Sequence, residues 1–207
     1  MWFSILIGVL VSYLLGNLNG AVCMSALMHD DVRSHGSGNA GLTNYIRNYG
    51  VGSALYVVLI DAGKAVLACL ATGLLLRPYG YYAEGTALGG LGVMLGHTFP
   101  ALLGFRGGKG ILSGLFVALV ADWRIALLIL GVFAVAYLLT GYVSLGSVLA
   151  ATAFAAGFAV LHYDNLTVML SGIAMGSLAV FMHRGNIVRL LQGKERKTNL
   201  FGKGKHS

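Results

Sequence analysis

Charge is scarce in this chain of 207 residues: only 10% are Asp, Glu, Lys or Arg, against about 25% in soluble domains. So small a supply cannot coat a water-facing surface, which excludes a soluble globular protein. Disorder is excluded as well, since it needs low hydrophobicity and high charge, and here 57% of residues are hydrophobic and the mean hydropathy is +0.79. Cysteine is limited to Cys23 and Cys69, both inside apolar runs, so they read as packing residues rather than a disulfide. No Cys or His cluster has metal-ligand spacing, no G-x-S-x-G elbow is present, and nothing calls for a cofactor.

Long apolar runs are abundant. They cover Trp2–Met28, Val51–Leu76, Thr86–Leu103, Ile111–Ala121, Ile125–Gly141, Val143–Leu161 and Leu166–Met182. A helical span of the bilayer needs about 20 such residues. The first run is too long for a signal-peptide core and reads as a true span. Continuous rather than alternating hydrophobicity selects helices over barrel strands. The sequence therefore predicts an all-α polytopic membrane protein of about seven transmembrane helices, one integral membrane domain over residues 1–207. The run at Ile111–Ala121 is short, and Pro100 is expected to kink its helix.

Cations orient the spans. Eleven Lys and Arg residues fall in the loops of one side, two (Arg77 and Arg124) on the other, and Lys64 lies within a span. The positive-inside rule then puts the N-terminus outside and the C-terminus in the cytoplasm. Residues 193–207 form a basic cytoplasmic tail suited to anionic lipid rather than nucleic acid.

Three polar, glycine-rich stretches share that inner face. The first, GSGNAGLTNYIRNYG from Gly36, fits G-x-G-x-x-G but lacks the strand and βαβ unit of a dinucleotide site. Its donors (Gly36, Ser37, Gly38, Asn39, Thr43, Asn44 and Arg47) are of the kind that wrap an anion. The second, GHTFPALLGFRGGKG from Gly96, fails the Walker pattern. It still offers Gly107, Gly108, Lys109 and Gly110 ahead of a helix N-terminus, with His97 upstream. The third, HRGNIVRLLQGKE, supplies His183, Arg184, Asn186 and Glu195, with His183 and Asn186 on one helical face. Residues 187–192 read equally well as an amphipathic lipid-surface helix. G-x-x-x-G pairs at Gly16/Gly20, Gly85/Gly89, Gly92/Gly96 and Gly172/Gly176 suggest close helix packing, and Asp61 could neutralise Lys64 one turn on.

Together these stretches, in order and spacing, resemble the bacterial membrane acyl-phosphate:glycerol-3-phosphate acyltransferase family, PlsY, over nearly the whole chain. Leu42 and Ala65 stand where smaller residues are usual. The resemblance implies transfer of a fatty acyl group from acyl phosphate to the sn-1 hydroxyl of glycerol 3-phosphate, at the cytoplasmic face of the bacterial inner membrane. The partners it implies are those substrates, membrane lipid, the enzyme that makes acyl phosphate and the next acyltransferase. It assigns catalysis to Ser37, Arg47, Lys109, His183 and Asn186. Ser37, Arg47 and His183 would hold the acceptor phosphate, Lys109 would reach the acyl phosphate, Asn186 would orient the hydroxyl, and Glu195 would brace the cations. His183 or a substrate phosphate oxygen could take the hydroxyl proton. A transporter of a phosphorylated or lipid substrate is the alternative, but it predicts internal repeats and midplane charges, of which only Asp61 and Lys64 qualify. A scaffold with a basic tail would leave the first two stretches unexplained. An acyl-CoA-dependent enzyme would carry H-x-x-x-x-D, and no His here has Asp five positions on.

Overall fold

The structure is a computed structural model that describes residues 1–198; Lys203 and Lys205 of the expected tail lie outside the described residues. It is all-helical. The α-helices are α1 (Trp2–Gly16), α2 (Gly20–Ala26), α3 (Leu42–Tyr49), α4 (Ala54–Leu76), α5 (Tyr82–Thr98), α6 (Ile111–Ala121), α7 (Trp123–Thr140), α8 (Val143–Leu161), α9 (Leu166–Met182) and α10 (Arg184–Leu191). By length and composition four helical segments can cross a membrane: Ala54–Tyr79, Tyr82–Leu103, Trp123–Thr140 and Val143–Leu161. Two bent pairs, α1–α2 at 42° and α9–α10 at 54°, also qualify as units, which raises the number to six, and α6 is apolar but shorter.

The run from Trp2 to Met28 is not one straight helix. It breaks at Asn17–Asn19, where two amides compete with the helix for backbone partners. Asn17 donates to the Tyr13 carbonyl at 2.7 Å and accepts from Leu102 N at 3.0 Å, while Asn19 caps α2 by accepting from Val22 N at 3.0 Å. Pro100 does not kink α5 but stops it. The residue before a proline is pushed out of the α region, and Phe99 sits at φ −123°, ψ 63°.

The expected glycine seams are real contacts. A Cβ on Gly96 would lie 2.0 Å from the Tyr13 carbonyl oxygen, and one on Gly89 would lie 2.4 Å from that of Ala68, so α5 meets the backbones of α1 and α4 directly. Val93, Met94, Val117, Ile125, Phe158 and Met175 fill the main core between α4 and α9. On the outside, Leu127, Leu138 and Leu139 of α7 are exposed, as a lipid-facing helix requires. A second, smaller core of Ala21, Val32, Tyr45, Ala54 and Val57 seats α3 against α2 and α4. Both cysteines are free.

Candidate active site

The three polar stretches meet at one end of the bundle around a cavity of about 880 Å³. Ser37, Arg47, Lys109, His183 and Asn186 all line it, as do Gly36, Asn39, Thr43, Asn44, His97, Gly110 and Glu195. The opposite wall is apolar and belongs to α6, α7 and α8, with Ile111, Leu115, Ile129, Leu130, Phe133 and Ala150. One chamber thus joins a cation-rich mouth to a greasy slot.

Local folding explains the mouth. Gly36 has φ +59°, a left-handed conformation that favours glycine, and a Cβ there would strike the Asn44 side chain at 2.5 Å. Asn44 itself is a strut: it accepts from Ser37 N at 3.0 Å and donates to the carbonyls of Val32, His35 and Asn39. These bonds hold Ser37 at the rim and occupy an amide that the sequence offered as a ligand. Tyr45 stacks on Tyr49 with centroids 4.9 Å apart and donates or accepts a bond with Ser53 at 2.6 Å, which fixes the face of α3 that carries Arg47. Gly110, at φ +79°, turns the chain into α6 directly after Lys109.

A relay of hydrogen bonds ties the second stretch to the third. The Lys109 ammonium donates to Asn186 Oδ1; Asn186 Nδ2 donates to Glu195 Oε1 at 2.9 Å; Arg189 Nε donates to Glu195 Oε2 at 2.7 Å. Burial, and then the Arg189 charge, push the Lys109 ammonium down to about 8. Burial raises the Glu195 carboxyl, but the Asn186 and Arg189 hydrogen bonds outweigh it and hold the group below its usual range. His183, buried at the bend, donates Nδ1–H to the Ala179 carbonyl at 2.8 Å. A neutral ring whose Nδ1 carries the proton has a lone pair on Nε2.

Four expected ligands are placed elsewhere. Arg184 lies over the Phe181 ring at 4.5 Å and donates to the Phe181 carbonyl, because α10 turns away at His183 and leaves that side chain outside. Gly38 lies in the loop without reaching the cavity wall. Gly107 and Gly108 pack inward on His97: a Cβ would sit 2.0 Å from its carbonyl oxygen or 2.2 Å from Nε2. They let the loop approach α5 closely.

The described part of the tail, as far as Thr198, has contacts of its own. Its first residues fold over the site: Thr198 N donates to the Gly141 carbonyl at 3.2 Å, Tyr137 donates to the Thr198 carbonyl at 2.9 Å, and Arg47 donates to the Thr198 hydroxyl. Lys194 and Arg196 of the tail line the cavity, as does Arg189 of α10, three cations to which the motifs assigned no role. Their signal in the sequence was membership of the cation-rich side that also carries the three polar stretches.

The family model described as glycerol-3-phosphate acyltransferase matches residues 6–193. The glycerol-3-phosphate acyltransferase of Finegoldia magna is 39% identical over 196 residues, 94% of this chain and 96% of that protein. Among solved structures, PlsY (YgiH), an integral membrane glycerol 3-phosphate acyltransferase in its glycerol 3-phosphate form, aligns with a TM-score of 0.84 at 32% identity, over 96% of this chain and all of that one. Its lysophosphatidic acid form aligns with a TM-score of 0.80 at 31% identity, over 95% and 96% of the two chains.

Proposed function

The chain belongs to the glycerol-3-phosphate acyltransferase family, and on that premise we propose that it transfers a fatty acyl group from acyl phosphate to the sn-1 hydroxyl of glycerol 3-phosphate, releasing lysophosphatidic acid and inorganic phosphate. The observation that carries this reading is the two-sided cavity: cations gather where phosphates would sit, and an apolar slot between α6, α7 and α8 suits an acyl tail. A transporter reading has less behind it, since the charges deepest in the bundle, Asp61 and Lys64, pair with each other at 2.8 Å.

Acyl phosphate is a mixed anhydride with a good leaving group, so the chemistry needs alignment and charge more than a protein nucleophile. Ser37 and Arg47 hold the acceptor phosphate at the rim. Lys109 lies between the two phosphate positions, offsets their repulsion and stabilises charge on the carbonyl oxygen and the departing phosphate. Asn186, fixed by Lys109 and Glu195, orients the glycerol hydroxyl, and His183 accepts its hydrogen bond at Nε2. Gly36, Asn39, Thr43 and Gly110 shape the surrounding wall.

The attacking hydroxyl must lose its proton as it is acylated, and the departing phosphate carries oxygens basic enough to take it. The hydroxyl oxygen therefore forms the ester bond as the carbonyl–phosphate bond breaks, and the proton leaves on the phosphate, with His183 aligning rather than carrying it.

Counting each bent pair once and adding α6 gives seven spans, with the N-terminus outside and the cavity and C-terminus facing the cytoplasm of a bacterial inner membrane, in accord with the distribution of cations. Soluble glycerol 3-phosphate then enters from the cytosol while the donor stays in lipid. The reaction sits between acyl-phosphate synthesis and the next acyltransferase. The test is purified protein with labelled glycerol 3-phosphate and either acyl phosphate or acyl-CoA. Lysophosphatidic acid should form with acyl phosphate alone; comparable turnover with acyl-CoA, or none with either, refutes the reading.

A further inference from the structure

At the floor of the cavity, with Asp61 and His97 in its lining, lies a group of polar side chains that the transfer itself leaves unused. Asp61, Lys64 and His97 are buried side by side on α4 and α5. Lys64 Nζ is 2.8 Å from Asp61 Oδ1 and 2.8 Å from His97 Nδ1. It also donates to the carbonyls of Gly16, at 3.3 Å, and Leu18, while Gly20 N donates to Asp61 Oδ1 at 3.2 Å. The ion pair thus holds both sides of the break between α1 and α2. Desolvating two charges is expensive, and satisfying the carbonyls of a broken helix accounts for only part of the arrangement, because it does not require His97.

The role of His97 follows from the hydrogen-bond network. An ammonium can only donate, so Nδ1 accepts and the ring proton is assigned to Nε2. That nitrogen faces Gly108 so closely that a Cβ there would lie 2.2 Å away, and 2.7 Å from the Ala40 carbonyl oxygen on the other side. The backbone repeats the contact, since Gly108 N donates to the His97 carbonyl at 3.0 Å. From the helix break, the Asn19 amide donates to that same Ala40 carbonyl at 2.9 Å. Ala40 ends the loop that carries Ser37, and Gly108 precedes Lys109.

We propose that Asp61, Lys64 and His97 are positioning residues that set the Lys109 loop against the Ser37 loop. The inference rests on the acyltransferase reading, and it assigns His97 to the support of the site rather than to a ligand. A small misplacement of a reacting group can cost on the order of 10²-fold in rate.

The test compares His97→Leu, His97→Asn and Gly108→Ala with the unmodified protein, scoring lysophosphatidic acid formation against glycerol 3-phosphate concentration. Turnover by the unmodified protein tests the functional reading; the ratios among variants test this one. His97→Leu removes the acceptor for Lys64 and should lower kcat at least tenfold with KM within about threefold, while His97→Asn, which keeps an acceptor near Nδ1, should recover most of it. Gly108→Ala leaves the buried charges untouched and should also lower kcat at least tenfold, with part of the loss restored when His97→Asn makes room. Normal turnover by Gly108→Ala overturns the proposal however His97→Leu behaves, including failure to fold. Equal losses for the Leu and Asn variants, or a change confined to KM, overturn it as well.

Discussion

At the end of the bundle where α6 meets α7, Asp122 caps the new helix, accepts from Arg124 Nε at 2.9 Å and lies 3.1 Å from His162 Nε2, and nearby Glu84 accepts from Asn165 at 2.9 Å. Each acid there has its own polar partner, and Asp122 has a cation. At the other end, Arg47, Lys109, Arg189, Lys194 and Arg196 line one cavity with Glu195 as their acidic neighbour, since Asp61 is taken by Lys64. The first end closes the fold. The second leaves positive charge uncompensated next to an apolar slot, an arrangement that lowers stability unless an anion arrives. Surplus, rather than number, of charges distinguishes the place where a phosphorylated ligand would bind.

Removing Lys109 should break this contrast most severely. Loss of one donor to developing charge costs about 2.7–4 kcal/mol, or roughly 10²–10³ in rate. Lys109→Ala should therefore lose at least that factor in kcat/KM while still purifying as folded protein. Lys109→Arg should recover a fraction, because a planar fork replaces a compact ammonium poorly. The pH profile sharpens the point. Burial pushes the Lys109 ammonium down to about 8, so its charge is present below that pH and lost above it. kcat/KM, which reports the free enzyme, should fall as pH rises through about 8, and Lys109→Arg should move that limb upward. Initial rates across pH 6 to 10 measure both; an unshifted limb in the Arg variant would assign it to another group.

Glu195 offers the next contrast. It holds Asn186 and Arg189 in place, so Glu195→Ala should lower kcat about tenfold, equivalent to ~1.4 kcal/mol. Full activity in initial-rate assays would mean that Lys109 alone orders Asn186. The smallest effect is expected at the opposite end. Asp122→Ala removes the cap of α7 and should cost about 1 kcal/mol of stability, seen as a lower thermal transition in detergent, with kcat within about twofold of the unmodified value. A large loss of turnover there would contradict the division of labour between the two ends.

How far the sequence revealed this arrangement depended on the kind of signal. Helices whose ends coincide with a change in hydropathy, such as Val143–Leu161 and Leu166–Met182, were legible to the residue. The Asp61–Lys64 pair followed from helical spacing alone. Asn17 and Asn19 were visible in the first run, yet the hydrophobicity around them concealed the break, because what stabilises it is Lys64 from a helix far along the chain. The packing of Gly107 and Gly108 on His97 was hidden for the same reason: only the fold puts that residue against them. The turn of the tail onto Gly141 and Tyr137 relies on long-range hydrogen bonds with no local pattern, which kept Lys194 and Arg196 out of the expected site.

The account depends on one cavity serving both a soluble phosphorylated acceptor and an acyl donor. An acyl phosphonate that cannot transfer its chain, carrying a photoreactive group at the tail end, tests this most directly. On irradiation, peptides from α6, α7 and α8 should be labelled, and excess acyl phosphate should suppress the labelling. Labelling confined to α1 and α4, or to the end of the bundle near Asp122, would contradict it.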